Sequence, residues 1–224
     1  MHTIDSKIHI PEGERLTSIK PQEAQCICDL IKEHGFTKTL EVGFAYGYSA
    51  AYIIWATDSK HIVIDPFQKD YQYLGIKNLE ALGFQDKYEL KAELSHLALP
   101  VLLKEGTRFQ FVFIDGGHRF DEIFIDWYYS DLLLEKEGYI MFHDSWMRST
   151  QMVAQFIRTN RKDYKEVPTP QDNLILFKKV GDDHRLWYHF KEFFTFKSFF
   201  MYYSIKKQID KRTSQDKGQP TFTN

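Results

Sequence analysis

The stretch that most constrains the fold runs from Lys38 to Ala51 and reads KTLEVGFAYGYSAA. Its apolar run up to Val42 predicts a buried central strand, and Gly43 and Gly47 bracket the turn that follows. Glycine permits backbone conformations, and a close approach of backbone to ligand, that a side chain would block. A helix begins near Ser49. This order predicts a nucleotide-binding loop. The alternative is an ordinary strand, turn and helix that binds no ligand, because a pair of glycines alone is weak evidence for such a loop.

Acidic side chains recur where predicted strands end. The run KHIVID ends in Asp65, roughly 22 positions after Gly43, which is close to the spacing of a carboxylate that binds ribose hydroxyls. The run FQFVFID ends in Asp115. Ligands of open parallel sheets bind beyond the carboxyl ends of the strands, so these side chains should share one cleft. The residues expected there are Glu41, Asp65, Asp115, His143 and Asp144.

Strands alternate with helices along residues 21–142, which predicts an α/β fold with an open, largely parallel sheet covered on both faces. Strands are predicted at 38–42, 60–65, 88–91, 109–115 and 139–142. Helices are predicted at 21–35, 50–55, 73–82, 97–103 and 121–135, the fourth of them despite Pro100.

Composition narrows the class of protein. The 224 residues are 43% hydrophobic and 27% charged, which suits one soluble domain that needs no disulfide or metal to fold. A net charge of −2 argues against a general nucleic-acid binder. Cys26 and Cys28 would point to different faces of a helix, so neither a disulfide nor a zinc site is expected, and a cytoplasmic setting fits. We expect no signal peptide at the N-terminus and no membrane-spanning helix.

Two other nucleotide-binding loops fit less well. A dinucleotide loop requires G-x-G-x-x-G, whereas Gly43 is followed by Ala45 and Tyr48 at the two later positions. A phosphate-binding P-loop requires Gly-Lys-Ser or Gly-Lys-Thr, and neither occurs. An NAD(P)-linked oxidoreductase of similar fold and a non-catalytic cofactor-binding scaffold stay open as alternatives.

The segments EVGFAYGYS, IVIDPF, FVFIDGGHRFDEIFIDW and GYIMFHDSW together resemble class I S-adenosylmethionine-dependent methyltransferases. They are most similar to the small-molecule O-methyltransferase branch called methyltransferase domain 24. The resemblance implies a Rossmann-like, doubly wound, seven-stranded sheet that ends in a hairpin formed by 164–167 and 173–178. It implies S-adenosylmethionine as cofactor and a hydroxyl of a small molecule or sugar conjugate as acceptor. The expected cofactor-binding residues are Glu41, Gly43, Ala45, Gly47, Ser49, Asp65, Glu93, Ser95 and Asp115.

The same resemblance implies a Mg²⁺ or Mn²⁺ site formed by Asp115, His143 and Asp144, although Gly117 stands where some relatives have an acid. Methyl transfer also requires a base for the acceptor's proton, and histidine suits that role near neutral pH. We expect His118 to be the base and His143 a ligand or orienting residue, with Asp115 completing the catalytic set. The alternatives are that each histidine only bonds loop backbone and that Asp115 caps a helix. Glu122 and Asp126, four apart on one helix, are expected to be solvated.

The C-terminal part is unusually aromatic. Ten aromatic residues lie between Leu186 and Tyr203, and the nearby basic residues are Lys191, Lys197, Lys206, Lys207, Lys211 and Arg212. We expect a methyltransferase domain at 1–180, an aromatic and basic helical extension at 181–212 and a disordered tail at 213–224. The region 184–212 could form a homodimer contact or a lid, lie in a membrane interface, or pack on the core.

Overall fold

The computed structural model describes residues 3–15, 18–57 and 59–193, together with 196, 200 and 204–207. Seven strands form one sheet in the order β3-β2-β1-β4-β5-β7-β6. The first five in this order are parallel, and β7 runs antiparallel to both β5 and β6. The strands are β1 (Thr39–Val42), β2 (His61–Ile64), β3 (Tyr88–Lys91), β4 (Phe109–Ile114), β5 (Leu134–Phe142), β6 (Tyr164–Val167) and β7 (Ile175–Lys179).

Helices cover both faces of the sheet. They are α1 (Thr3–Lys7), α2 (Pro21–His34), α3 (Tyr48–Ala56), α4 (Leu74–Ala81), α5 (Ser95–Lys104), α6 (Phe120–Leu133) and α7 (Arg148–Asn160). Buried residues of α2, α3 and α4 form one core, and those of α5, α6 and α7 form the other. Successive residues of β4 alternate between these cores, since strand side chains point to opposite faces: Phe113 joins the first and Ile114 the second.

The predicted fold class is confirmed. Strands β2 and β4 each end one residue before the acid that the sequence placed at their ends, at Ile64 and Ile114. One boundary was wrong. Helix α6 ends at Leu133 and β5 begins directly at Leu134, whereas the sequence indicated helix to Glu135 and a strand from Tyr139. The early part of β5 pairs with β4 across a register shift, and Glu137 has a left-handed backbone there. This bulge masks the strand pattern in the sequence.

Two helices were not predicted, α1 and α7, and α5 continues through Pro100 without interruption. The helix prediction for the C-terminal extension also fails over residues 181–193, which contain no helix. There the Asn160 amide donates to the backbone oxygen of Lys191 at 3.0 Å and accepts from its nitrogen at 2.8 Å. These bonds hold the chain in a non-helical path. Positions 196, 200 and 204–207 are helical, and the expected tail at 213–224 lies outside the described residues.

None of the helices in the described ranges is both long enough and apolar enough to cross a bilayer.

Candidate active site

The turn after β1 lies directly against the end of β4. Gly43 has a backbone φ of +97°, a conformation that residues with a side chain rarely adopt. A Cβ at this position would overlap the carbonyl oxygen of Asp115. Gly47, with a φ of +71°, then precedes the first residue of α3. The glycines therefore bring the predicted cofactor loop into contact with the predicted catalytic strand end.

Asp65 shapes this loop from the end of β2. Its Oδ2 accepts hydrogen bonds from the backbone nitrogens of Phe44 at 2.8 Å and Ala45 at 3.0 Å. Its Oδ1 accepts from the nitrogen of Phe67 at 2.6 Å. The carboxylate predicted to bind ribose thus lies at the loop, and here it fixes the turn.

Glu41 is fully buried beneath the loop. Its carboxylate accepts from the Ser49 hydroxyl, and its Oε2 lies 3.1 Å from His61 Nε2. Burial raises the pKa of Glu41, although its bonds to His61 and Ser49 oppose that shift. The His61 ring also contacts Thr39 Oγ1 at 2.8 Å. In this structure Glu41 joins β1 to β2 and α3, so it supports the loop from below, and sequence reasoning missed His61 as its partner.

A cluster of three ligating side chains occupies the cleft. Asp115, His118 and Asp144 each offer one ligand atom, and these atoms lie within 4.8 Å of one another. His118 Nε2 is 2.9 Å from Asp144 Oδ2 and 3.9 Å from Asp115 Oδ1. Two carboxylate oxygens and one imidazole nitrogen suit a divalent ion such as Mn²⁺, with water or substrate completing the shell. The donor set therefore fits the implied metal.

The electrostatics of the cluster reflect its two carboxylates. Hydrogen bonding to Asp115 and Asp144 raises the pKa of His118 to about 9. Burial opposes ionisation of Asp115, but the charge of His143 and the hydrogen bonds from His118 and His143 together outweigh it and lower the pKa of that carboxyl. The pKa of Asp144 is also lowered, because bonds to His118 and His143 outweigh its burial. Both acids are thus held as carboxylates, as metal ligation requires.

His143 lies in the cleft but is enclosed by acids. Its Nδ1 is 3.1 Å from Asp115 Oδ1, and its Nε2 is 3.1 Å from Glu23 Oε2 in α2. Burial would lower the pKa of His143, but the charge of Asp115 and bonds to Asp115, Asp144 and Glu23 raise it to about 12. Both ring nitrogens of the protonated His143 side chain face acids, so neither is free to bind a metal ion. This arrangement favours an orienting role for His143 over metal ligation. Glu23 was missed, because a partner 120 residues away in sequence leaves no local signal.

The remaining candidate residues lie near the start of α5 and on or beside α6. Ser95 is the first residue of α5, and Glu93 is exposed in the loop before it. Asp115 does not cap α6, whose N-cap is Arg119 with Glu122 completing the cap. Asp126 is 1% exposed, contrary to the expectation of a solvated acid.

Asp126 packs where the loops after β3 and β4 meet. Burial raises its pKa to about 6, while a bond to Ser95 opposes the shift. Within the described part of the chain, its Oδ1 has no hydrogen-bond partner. The sequence signal was the apolar spacing of α6, on which Asp126 precedes the buried Trp127.

Comparison with solved structures shows the same fold in O-methyltransferases. TomG from Streptomyces achromogenes, solved with S-adenosylmethionine, has a TM-score of 0.66 at 16% identity, covering 80% of this chain and 89% of that one. An O-methyltransferase from Bacillus cereus, in complex with S-adenosylhomocysteine, has a TM-score of 0.62 at 15% identity, covering 73% and 83%. A putative caffeoyl-CoA O-methyltransferase from Staphylococcus aureus has a TM-score of 0.67 at 14% identity, covering 81% and 93%.

No curated protein sequence matches the chain. The family model described as O-methyltransferase, in contrast, matches residues 7–186. That range contains all seven strands, the glycine turn and the cluster of Asp115, His118 and Asp144. The family match supports methyl transfer to oxygen, and nothing in the comparisons supports the oxidoreductase alternative. The chain therefore belongs to the O-methyltransferase family, and it is an S-adenosylmethionine-dependent methyltransferase.

Proposed function

We propose that the protein methylates a hydroxyl of a small molecule or sugar conjugate in the cleft beside the Gly43 turn, with Asp115, His118, His143 and Asp144 as its catalytic and metal-binding residues. The observation that carries this proposal is the placement of Asp115. Its backbone contacts the cofactor turn at Gly43, while its carboxylate belongs to the cluster with His118 and Asp144. One residue thus adjoins both the expected donor and the expected acceptor.

Methyl transfer requires an acceptor oxygen in line with the methyl–sulfur bond. The oxygen forms the new bond to carbon, the carbon–sulfur bond breaks, and S-adenosylhomocysteine leaves. The hydroxyl proton passes to His118 Nε2, which is half-exposed in the cleft, when the imidazole is in its neutral form. Because bonds to Asp115 and Asp144 raise the pKa of His118 to about 9, the neutral form, and with it turnover, should increase as pH rises towards that value. His143 donates to Asp115 and Glu23 and so holds the Asp115 carboxylate in place.

Asp115 and Asp144 would hold a divalent cation, with His118 close enough to join them. When bound, such an ion would orient the acceptor's oxygens and lower the pKa of its hydroxyl. The turn from Gly43 to Gly47, with Ala45 and Ser49, would bind the methionine part of the cofactor. Asp65 would bind the ribose and Glu93 and Ser95 the adenine, and Glu41 would act through Ser49.

The test is formation of S-adenosylhomocysteine from S-adenosylmethionine with Mn²⁺ and two acceptor panels, aromatic diols and sugar conjugates. We expect turnover with a member of one panel, and loss of that turnover in Asp115→Asn and Asp144→Asn while calorimetry still shows S-adenosylhomocysteine binding. A matched control is Asp29→Asn, an exposed acid on α2. Undiminished turnover in both cleft variants would remove these residues from the mechanism. Cofactor binding with no turnover on any acceptor would favour a non-catalytic scaffold.

We also infer a cytoplasmic protein whose region 184–212 makes a peripheral contact, with a second copy or with a membrane surface. The domain division at residues 180 and 212 belongs to the same proposal. Two free cysteines agree with a reducing compartment. The exposed aromatic side chains after residue 185 support the contact.

A further inference from the structure

The C-terminal aromatic segment, residues 184–193, leaves large apolar side chains in water. Trp187 is 94% exposed and Phe190 is 60% exposed, with Leu186 and Tyr188 between these values. Indole and phenol rings are costly to leave exposed at this density. The segment is nonetheless fixed in place, since Lys191 is bonded to Asn160 and the Phe193 ring contacts Phe156 of α7. It is therefore an ordered apolar surface.

The apolar surface continues onto α6. Tyr128 and Leu132 are 48% and 39% exposed, and together with Arg185 they line one cavity. Because Arg185 directly precedes Leu186, the helix surface and the segment adjoin. We call the combined surface, formed by Tyr128, Leu132 and residues 186–190, the aromatic patch.

Charge is divided unevenly between this end of the chain and the rest. Residues 184–212 contain seven lysines and arginines and two acids, a net charge of +5. The whole chain has a net charge of −2, so the remaining residues carry −7. The residues of the patch are uncharged, and Asp182 and Asp183 line the same cavity as Arg185. The chain that continues from the patch, residues 191–212, contains six lysines and arginines and two acids. The excess positive charge therefore directly follows the patch in sequence.

This division decides between the two occupants proposed above. In a two-fold dimer the same surface meets itself, so one basic segment would oppose another. An anionic lipid surface supplies the opposite charge, and its interface is where tryptophan and tyrosine rings and lysines are stabilised. We propose that the aromatic patch binds the surface of an anionic lipid bilayer without crossing it.

The position of the patch also bears on access to the cleft. Helix α6 begins beside the catalytic cluster at Phe120 and ends beside the patch at Leu133. Tyr128, the patch residue nearest the cluster along the helix, lies eight residues, or about 12 Å, from Phe120. A bilayer bound at the patch would therefore leave the cleft open to water, within reach of soluble acceptors or of sugars that extend from lipid headgroups.

The proposal rests on the peripheral contact inferred above but not on methyl transfer, so it is tested without cofactor or acceptor. The full-length protein is sedimented with vesicles of phosphatidylcholine alone and of phosphatidylcholine with phosphatidylserine. We expect binding to the anionic vesicles only, and its loss at about 0.5 M salt, where charges are strongly screened. Trp187→Ala/Phe190→Ala should bind at least about tenfold more weakly, and Lys191→Glu should weaken binding as well.

The matched control is Trp55→Ala, because Trp55 is also an exposed tryptophan, 41% exposed, but lies on α3 against the opposite face of the sheet. It should bind like the wild type. Unchanged circular dichroism and S-adenosylhomocysteine binding would show that the double variant is folded. No binding to anionic vesicles, equal binding to neutral ones, or a dimer that dissociates in the double variant would overturn the proposal.

Discussion

At the scale of single residues, His118 has two candidate roles that one variant separates. As a base it is needed for proton transfer only, whereas as a ligand it would also contribute to metal binding. We expect His118→Gln to lower kcat by roughly 10²–10⁴-fold and to leave Mn²⁺ affinity close to that of the wild type. Asp144→Asn should weaken Mn²⁺ binding.

Mn²⁺ calorimetry alongside turnover separates the two roles. His184→Gln, an exposed histidine outside the cleft, is the control and should change neither quantity. A large loss of Mn²⁺ affinity in His118→Gln would instead assign His118 as a ligand.

Asp126 makes stability depend on pH. Its pKa of about 6 in the folded protein lies above its ordinary value of 3.8, so the folded state keeps a proton that the unfolded chain releases. The contribution of the protonated Asp126 carboxyl to the free energy of unfolding is fully present below about pH 4 and is lost as pH rises through about 6. Asp126→Asn removes the buried charge, and we expect the free energy of unfolding at pH 7.5 to rise by roughly 1–3 kcal/mol.

The measurement is urea unfolding at pH 5 and pH 7.5, where the gain of Asp126→Asn should be larger at the higher pH. Glu122→Gln, on the same helix but with its side chain one-third exposed and paired with Arg119, should change little at either pH. An equal effect of Asp126→Asn at both pH values would contradict a buried, titrating carboxyl.

At the scale of elements, the Gly43 turn is the most restrictive point of the fold. Gly43→Ala would place a methyl group against the Asp115 backbone at a φ of +97°, where neither the conformation nor the space accepts a side chain. We expect Gly43→Ala to lose S-adenosylhomocysteine binding by calorimetry. Gly13→Ala is the control, since nothing lies within 4 Å of its Cβ position and its φ is not positive. Wild-type affinity in Gly43→Ala would separate the turn from cofactor binding.

Elements were predictable from sequence where a local pattern determines them. Strands β1, β2 and β4 are short apolar runs that end at a glycine or an acid, and their ends match the structure to within one residue. The start of β5 was not predictable, because Leu133 and Leu134 continue the helical apolar spacing and only pairing with β4 makes the strand. The site followed the same rule. The proximity of Asp115 and Asp144 was predictable because both follow strand ends, whereas Glu23 reaches His143 only through the tertiary fold.

At the scale of the whole molecule, a buried ion network joins the last helices to the hairpin of β6 and β7. Arg161 is 3% exposed. Its guanidinium donates to Asp131 at 2.7 and 3.0 Å and to Asp163 at 2.9 and 2.6 Å. Burial opposes its charge, but the two carboxylates raise its pKa further above the ordinary value. Lys179 of β7 also bonds Asp131, at 3.2 Å. The network thus connects α6, the end of α7 and both hairpin strands.

Removing the arginine would leave Asp131 and Asp163 with less compensation for their burial. We expect Arg161→Leu to lower the free energy of unfolding by roughly 3–5 kcal/mol, because a buried charge that loses its partner costs far more than the intact pair contributes. Lys38→Gln is the matched control, since Lys38 pairs with Glu135 on the surface at 2.8 Å and such pairs contribute about 1 kcal/mol or less. Urea unfolding followed by tryptophan fluorescence compares the two. Equal midpoints for Arg161→Leu and Lys38→Gln would mean that the hairpin is held by its apolar contacts alone, with the ion network contributing only to the specificity of its position.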